Sequence, residues 1–515
     1  MKKLKKLPIG KATLRTIIEE NFLYVDKTKI AQEMIENGGG YYFLSRPRRF
    51  GKSLFLDTLR TIFDADKELF NGLHIYDNGY KFEKHPVIRI SFNDGKISTK
   101  SEFNSYIFSL LRKNQRDLDV ECPQEDLASL CFKRLIEEAY KKYNKKVVIL
   151  VDEYDKPILD NIEDTEVARV MREELKNFYS VIKGADEYLK FVFIAGVSKF
   201  SKVSLFSGLN NIQDITLNPK YATICGYTQN DVETVFAEHL KGQDFAKIQK
   251  WYNGYKFLGE GVYNPFDILL FIENQFAYRN YWFSTATPIF LLKLIEKNNY
   301  FLPNLEYIVK DEKMLDSFDV DYIELETLMW QTGYLSIDKV TTSFDETPLY
   351  HLGIPNQEVR LSLMGYIADF ITKIQNSTLK RSAIYEALFS ADFNALEKSL
   401  KSLFASIPYN LFTKNDMDKK EGYYVSVFYS YIKALGIEII SEDVTNKGRI
   451  DLTLKLPNAI FVVEFKVDGT SALQQIKEKN YHDKYLDAKL PIYLVGLEFD
   501  TKERNISKVE SEKVI

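Results

Sequence analysis

The chain has 515 residues, of which 45% are hydrophobic and 28% charged, a balance typical of globular protein with room for about three or four domains. Its formal net charge of −4 excludes a global positive field that would attract nucleic acid or an anionic membrane, so any such contact requires a local basic surface. Three cysteines, Cys122, Cys131 and Cys225, form no paired framework and no C-x-x-C metal spacing, which indicates a reducing cytosol.

Nothing in the sequence predicts export or membrane insertion. The opening segment MKKLKKLPIGKATLRTIIEENFLYVDKT contains no apolar core of signal-peptide type. No stretch approaches the roughly eighteen apolar residues that a membrane-spanning helix needs. We therefore expect a cytoplasmic protein with no membrane partner.

Four short apolar runs predict the strands of a buried sheet. They are rich in β-branched and aromatic residues and occupy residues 41–44, 87–92, 147–151 and 191–195. Helix-like segments separate them, and continuous apolar runs that alternate with helices are typical of a parallel sheet covered on both faces. We predict an α/β domain over residues 1–225.

The segment RPRRFGKS at 46–53 ends like a phosphate-binding loop but has Arg46 where the usual pattern has its first glycine. The G-K-S triplet alone is expected by chance in roughly one chain in four of this length, so its surroundings must decide. It stands between a strand candidate and a helix candidate, an order that directs backbone N–H groups and a helix amino terminus toward phosphate. We predict a nucleotide-binding loop with an altered first turn. It contains Gly51, Lys52, which reaches the β- and γ-phosphates, and Ser53, which binds Mg²⁺.

Acidic residues follow the third apolar run, in the segment KKVVILVDEYDKP. Asp152, at a strand end, can enter the shell of Mg²⁺, and Glu153 can orient the attacking water. The next apolar run leads to Ser198, a polar group placed to sense a γ-phosphate. The alternative is that the Asp-Glu pair only caps a loop, but both motifs occur in the order and context that nucleotide binding requires.

From Tyr227 the pattern becomes helical, with Thr228 as a candidate N-cap. We predict a mainly helical lid or connecting region over residues 226–400. For the aromatic segment WYNGYKF, core or interdomain packing is favoured over stacking on a nucleobase. The five histidines form no metal-binding spacing pattern.

Residues 401–515 predict a second α/β domain. A helix is expected in EGYYVSVFYSYIKALG, strands in GRIDLTLKLPNAIFVVEFKV, a helix around Gln475 and a last strand in PIYLVGLEF. If Pro457-Asn458 forms a two-residue turn, Asp451 lies directly opposite Glu464. One face of this hairpin would hold Asp451, Thr453, Lys455, Val462, Glu464 and Lys466, and the other the apolar residues Ile450, Leu452, Leu454, Phe461, Val463 and Phe465.

Two carboxylates that face each other across strands repel and destabilise the pair. A divalent cation shared by Asp451 and Glu464 would offset that repulsion, and Lys466 would offset part of it. Such a cation can polarise a phosphodiester, while Lys466 positions water or stabilises developing charge. The alternative is a solvated polar face with one surface ion pair.

Several motifs resemble those of the bacterial AAA-ATPase-like family. They are YVDKT at 24–28, RPRRFGKS at 46–53, VDEYD at 151–155, SLFSGLNNI at 204–212, WYNGYKF and YNPFDI. Members commonly have the R-P-R-R-F-G-K-[ST] loop, so the arginine at its start agrees with the family pattern. The resemblance covers most of residues 1–300 and implies a P-loop ATPase that uses Lys52, Ser53, Asp152 and Glu153.

The carboxyl-terminal spacing D-x12-E-x-K resembles the PD-(D/E)XK nuclease superfamily, which many proteins of the same ATPase-like family carry at this end. The match is GR-x-D at 448–451 followed by E-x-K at 464–466, over about residues 415–505. Ile450 stands where the superfamily name has proline, a common departure that leaves the acidic ligand in place.

The superfamily resemblance implies a restriction-endonuclease-like fold and further site residues. The upstream helical glutamate falls at Glu421, with Glu442 as the second choice. Gln475 and Tyr481 match the following helix of the family, where they would support substrate or the active site.

These features predict an ATP-dependent, metal-requiring nuclease-like protein. Its expected partners are ATP, Mg²⁺ (or Mn²⁺ at the carboxyl-terminal site), nucleic acid, either DNA or RNA, and further copies of itself. The predicted catalytic residues are Glu153, Glu421, Asp451, Glu464 and Lys466. One alternative is a nucleotide-driven switch whose carboxyl-terminal domain only binds nucleic acid or protein, and another is a remodelling ATPase that uses this domain as an adaptor.

Overall fold

The computed structural model describes residues 4–37, 40–121, 127–199, 211–285, 289–316, 321, 323–374, 377–408, 421–469 and 471–514. The chain forms two compact units, one of residues 1–290 and 309–356 and the other of residues 291–308 and 357–515. Cys122 and most of the segment SLFSGLNNI lie outside the described residues. Within the described ranges, no helix is both long and apolar enough to cross a membrane.

The first unit is built on a five-stranded parallel sheet in the order β2-β3-β4-β1-β5. Its strands are Tyr41–Ser45 (β1), Val87–Ser91 (β2), Val147–Asp152 (β3), Leu189–Gly196 (β4) and Gln213–Asp214 (β5). The four predicted strands are confirmed, and β1 and β3 are buried along their whole length, as a sheet covered on both faces requires. Because β4 lies between β1 and β3, the carboxyl ends of these three strands meet at one edge.

Helices pack around this sheet and continue beyond it. Those of six residues or more are Leu14–Glu19, Thr28–Asn37, Lys52–Phe63, Lys100–Asp117, Ala128–Tyr143, Thr165–Tyr179, Gln229–Thr234, Phe245–Tyr252, Pro265–Glu273 and Leu325–Thr332. The predicted N-cap is confirmed, because the Thr228 hydroxyl accepts the backbone N–H of Asp231 at 3.0 Å in a capping box.

A small sheet, all of whose residues but Ile308 belong to the first unit, has no counterpart in the prediction. It consists of Ile308–Asp311 (β6), Ser336–Thr342 (β7) and Pro348–Gly353 (β8) in the order β6-β8-β7. Most of β7 is exposed, so it lacks the apolar run by which the other strands were recognised.

A hydrophobic cluster joins the amino-terminal YVDKT region to the helices after residue 227. Leu23 and Val25 lie in it together with Val232, Tyr252 and Ile268. This packing brings together segments that are more than 200 residues apart in sequence.

The second unit is built on a mixed sheet in the order β13-β12-β11-β10-β9. Its strands are Glu438–Thr445 (β9), Gly448–Leu456 (β10), Ala459–Val467 (β11), Ile492–Asp500 (β12) and Asn505–Lys513 (β13). Only β11 and β12 pair in parallel. Its helices are most of Ile289–Lys297, and Gln357–Thr372, Thr378–Ser390, Phe393–Ala405, Glu421–Lys433 and Ala472–Lys479.

Candidate active sites

The loop at 46–53 connects buried strand β1 to the amino terminus of helix Lys52–Phe63, as predicted. Its tight path depends on left-handed backbone conformations, with φ of 67° at Arg49 and 93° at the N-cap Gly51. A side chain at Gly51 would contact no atom within 4 Å, so glycine is favoured there by backbone conformation and not by crowding. The loop directs the amino end of the helix toward the edge where the sheet strands end.

Arg46 holds this loop from inside the protein. The side chain is fully buried, and its guanidinium donates to the carbonyl oxygens of Thr216 at 2.9 Å and Tyr221 at 3.1 Å. It also lies over the ring of Phe257, 3.8 Å from the ring centre. Burial lowers the pKa of Arg46 to about 10. The arginine that replaces the usual glycine therefore fastens the loop to the core and does not face the cavity.

We predict that Arg46→Lys lowers the free energy of unfolding of the first unit by about 2–4 kcal/mol. Lysine lacks the planar fork through which two guanidinium nitrogens each reach a carbonyl oxygen, and it loses the stacking on Phe257. Denaturant unfolding measures the change, and the exposed Arg48, changed to lysine, is the matched control. Equal stability of the two variants would mean that Arg46 does not hold the loop.

Lys52 lies behind the loop with its ammonium group enclosed by the backbone. It donates to the carbonyl oxygens of Arg46 at 2.8 Å and Pro47 at 2.9 Å, and burial lowers its pKa. Both Lys52 and Ser53 line a cavity of about 640 Å³, which Glu153 also lines. The loop and the acidic turn after β3, predicted separately from sequence, therefore meet at one cavity.

The remaining walls of this cavity were missed by the sequence reasoning. They include residues within the ranges 8–12, 24–27, 224–227 and 265–269. The motifs YVDKT and YNPFDI include some of these residues. The motif resemblance alone did not say that they share a cavity with the loop.

Asp152 ends β3 and is buried, with 4% of its surface exposed. Its Oδ1 atom is buried and has no hydrogen-bond partner among the described residues. An unpartnered carboxylate oxygen is a donor that Mg²⁺ prefers, so Asp152 fits the predicted ion by its chemistry.

Glu153 follows in an unusual backbone conformation. Its φ of 52° lies in the left-handed region, which a non-glycine residue adopts only where its neighbours hold it. Burial raises the pKa of Glu153, and the adjacent Asp152 raises it further. A raised pKa makes this carboxylate a stronger base, as a group that accepts a proton requires.

Ser198 lies two residues past β4 and is fully buried. Its hydroxyl is within 2.6 Å of Oδ2 of Asp155, and its backbone N–H donates to the same oxygen. In this structure the hydroxyl is therefore directed at Asp155, whereas the sequence prediction directs it at a γ-phosphate.

The aromatic residues of WYNGYKF belong mainly to the core, since Tyr252, Tyr255 and Phe257 are buried.

In the second unit, the predicted hairpin register is confirmed. Leu456 pairs with Ala459 and the pairing continues outward to Leu452 opposite Val463. At the next position, the backbone N–H of Asp451 donates to Oε2 of Glu464 at 3.4 Å. The backbone N–H of Phe465 donates to Oδ2 of Asp451 at 2.8 Å.

The predicted alternation of faces is wrong at Ile450. This residue belongs to the same buried cluster as Ile460 and Val462, which come from the opposite set of positions. The regular pairing of β9 with β10 is interrupted here, because Glu442, across from Asp451, has a φ of 48°.

Of the acidic pair, Asp451 is partly buried, which argues against the alternative of a freely solvated polar face. Glu464 is 2% exposed. Burial raises the pKa of both carboxyl groups, and for Glu464 the proximity of Asp451 raises it further. Two desolvated carboxylates that repel each other fit a shared cation chemically. Among the described residues, however, no group of three or more His, Cys, Asp or Glu is arranged to hold a metal.

The other predicted residues surround this pair. The Lys466 ammonium lies 3.9 Å from Glu464 and 4.0 Å from Glu421, the first residue of its helix. The amide of Gln475 donates to Oε1 of Glu464. Glu442 instead pairs with Arg449 at 2.8 Å, so the geometry favours Glu421 as the upstream glutamate.

Tyr481 approaches the backbone of β10 at the start of the G-R-x-D motif. A Cβ atom added at Gly448 would lie 2.6 Å from the Tyr481 hydroxyl oxygen. Glycine therefore provides the space through which this ring reaches the carboxylate pair.

Comparison with family models matches residues 8–206 to a family described as predicted AAA-ATPase and residues 419–509 to the PD-(D/E)XK nuclease superfamily. Both resemblances drawn from the motifs are confirmed. A curated protein of Azotobacter chroococcum mcd 1, described as an uncharacterized protein in the vnfD 5′ region, is 44% identical over 508 residues, or 98% of each chain.

Two solved structures also show similarity. Cdc6p from Pyrobaculum aerophilum has 12% identity and a TM-score of 0.24, covering 67% of this chain and 94% of that one. The Aeropyrum pernix ORC1 protein, solved in complex with DNA, has 10% identity and a TM-score of 0.25, covering 68% of this chain and 93% of that one. Similarity this weak supports no inference about function.

Proposed function

The chain belongs to the predicted AAA-ATPase family and ends in a domain of the PD-(D/E)XK nuclease superfamily, and from this premise we propose that it hydrolyses ATP and cleaves nucleic acid phosphodiesters. ATP binding or turnover would control access to the nuclease site or its assembly. We also propose that the protein is cytoplasmic, which the cysteine pattern supports, and that it forms a homo-oligomer. Its proposed domains are residues 1–225, 226–400 and 401–515.

The proposed ATPase activity is supported by one observation, the cavity that the loop at 46–53 shares with the acidic turn after β3. Lys52 would contact the β- and γ-phosphates, and the amino end of its helix would stabilise their charge. Ser53 and Asp152 would hold Mg²⁺, which neutralises phosphate charge when bound. Glu153 would accept a proton from the water that attacks the γ-phosphate.

The proposed nuclease activity is supported by the carboxylate pair of Asp451 and Glu464. Asp451 and Glu464 would hold a divalent cation, which polarises the phosphodiester when bound. Lys466 would stabilise the charge that develops on the phosphate, and Glu421 would orient Lys466. A domain that only binds nucleic acid or protein has no need of two desolvated, mutually repelling carboxylates. That cost in stability favours catalysis over the switch and adaptor alternatives.

Lys52→Ala tests the nucleotide site. We expect ATP–Mg²⁺ affinity to fall by about tenfold to a hundredfold, because a charge-assisted contact to phosphate is lost. Calorimetry measures the affinity, and the exposed Lys67, changed to alanine, is the matched control. Equal affinity of the Lys52→Ala variant and the unmodified protein would overturn the assignment of the loop.

A further inference from the structure

Asp155 follows the acidic turn after β3 and is buried, with 1% of its surface exposed. Its Oδ2 atom accepts the backbone N–H groups of Val197 at 3.0 Å and Ser198 at 2.6 Å. The Ser198 hydroxyl also lies 2.6 Å from this oxygen. One carboxylate therefore binds three donors on the chain that leaves β4.

The preceding residue makes a second connection to the same segment. The Tyr154 hydroxyl donates to the carbonyl oxygen of Ser198 at 2.8 Å, and its backbone N–H donates to Ala195 at 3.2 Å. The fit is close, since a Cβ added at Gly196 would lie 2.5 Å from the Tyr154 ring and 2.6 Å from Oδ1 of Asp155. Any side chain at Gly196 would push these two residues away from β4.

These contacts affect the backbone conformation of Glu153, which comes immediately before Tyr154 and Asp155 in the chain. Its left-handed conformation is unfavourable for glutamate and persists only where adjacent structure holds it. Tyr154 and Asp155 supply that support on the carboxyl-terminal side, and buried Asp152 at the end of β3 supplies it on the other.

We propose that Asp155 is a positioning residue for ATP hydrolysis, which holds Glu153 in its turn and ties it to Ser198. This inference rests on the proposed ATPase function. Asp155 is poorly placed to be the base itself, because three donors already occupy its carboxylate. The single hydroxyl proton of Ser198 is directed at Asp155, so the two side chains act as one unit.

The experiment measures kcat, KM and the affinity for an ATP analogue in the full chain. Four variants are compared: Asp155→Asn, Ser198→Ala, the double variant and Gly196→Ala. The exposed Asp117, changed to asparagine, is the control. We expect kcat to fall roughly tenfold or more with affinity unchanged within about twofold, because misplacing a catalytic group costs rate and not binding. The double variant should be no slower than the slower single variant.

Other outcomes overturn the inference. One is unchanged kcat in both Asp155→Asn and Gly196→Ala. Another is a fall in kcat and affinity together, in step with the melting temperature, which indicates a structural role only. Independent, additive effects of Asp155→Asn and Ser198→Ala would also contradict it. If Asp155→Asn does not fold, Gly196→Ala and Ser198→Ala provide the same test. An unmodified protein that binds no ATP would overturn the proposed function as well.

Discussion

With Mn²⁺ present, the Lys466→Ala variant is expected to cleave labelled nucleic acid roughly a hundredfold or more slowly than the unmodified protein. Its affinity for the cation should be largely retained. The reason is geometric: the ammonium lies 3.9 Å from Glu464 and can stabilise charge on a phosphate without itself being a metal ligand. Cleavage assays on DNA and RNA, together with metal titration, separate the two properties.

Asp451→Asn should lose cation binding and cleavage together. Without metal, this variant should be slightly more stable than the unmodified protein, by roughly 0.2–1 kcal/mol, because a like-charge repulsion across the strands is removed. The same change at exposed Asp487, and Lys455→Ala on the same sheet, are the controls.

The pH dependence of the metal-free melt follows from the raised pKa values of the pair. Above the ordinary carboxyl pKa of about 4, the folded protein holds more protons here than the unfolded chain. Its free energy of unfolding therefore falls as pH rises toward the raised values. Asp451→Asn should flatten that slope, and Mn²⁺ should stabilise the unmodified protein more at higher pH, where its ligands are deprotonated.

Absence of any Mn²⁺-dependent shift in the unmodified protein would leave a nuclease-like fold without a working site. Cleavage by the Asp451→Asn variant at the normal rate would remove this pair from the mechanism altogether.

The carboxylate pair was predictable because two independent patterns agree in this hairpin. A two-residue turn at Pro457-Asn458 sets the register, and alternating apolar residues on both strands support it. The prediction failed at Ile450, because nothing in the local sequence marks the left-handed residue across from Asp451 on the neighbouring strand.

Strands β9 and β13 were missed for a physical reason. The buried positions of β9 include Ser441 and Asp443, whose side chains bond to Pro303 and to Thr453 and Tyr485. Polar residues that are satisfied in the core do not give the apolar alternation by which strands are recognised. β13 is an edge strand with several charged residues, which is typical of edges that must not pair further.

In the nucleotide site, sequence order predicted which residues meet but not what each one does. From the sequence, Arg46 is one of three arginines in a phosphate-binding loop, yet its guanidinium donates to carbonyl oxygens some 170 residues away. In the sequence, Asp155 is only a further acidic residue near Glu153. Its contacts with the segment after β4 can be predicted only when the strand order is known. Side-chain direction in such loops is set by tertiary contacts, which motifs do not contain.

Glu153→Gln is expected to bind ATP as well as the unmodified protein and to hydrolyse it roughly a hundredfold or more slowly. Glutamine preserves the side-chain shape in the left-handed turn but cannot accept a proton. Removing a negative charge beside Asp152 does not weaken, and can strengthen, the binding of an anionic nucleotide. Phosphate release and calorimetry with the same preparations separate binding from turnover.

The pH dependence of ATP hydrolysis is a second, independent measurement of the effect of Glu153→Gln. Because burial and Asp152 raise the pKa of Glu153, hydrolysis by the unmodified protein should decline at low pH with a midpoint above the ordinary value for glutamate. The residual activity of Glu153→Gln should lack that decline, and Glu166→Gln, whose side chain is 82% exposed, should behave as the unmodified protein. If phosphate release by Glu153→Gln is unchanged, another group at the cavity must accept the proton. That result would also contradict the positioning role of Asp155, because Glu153 would then perform no step that depends on its position.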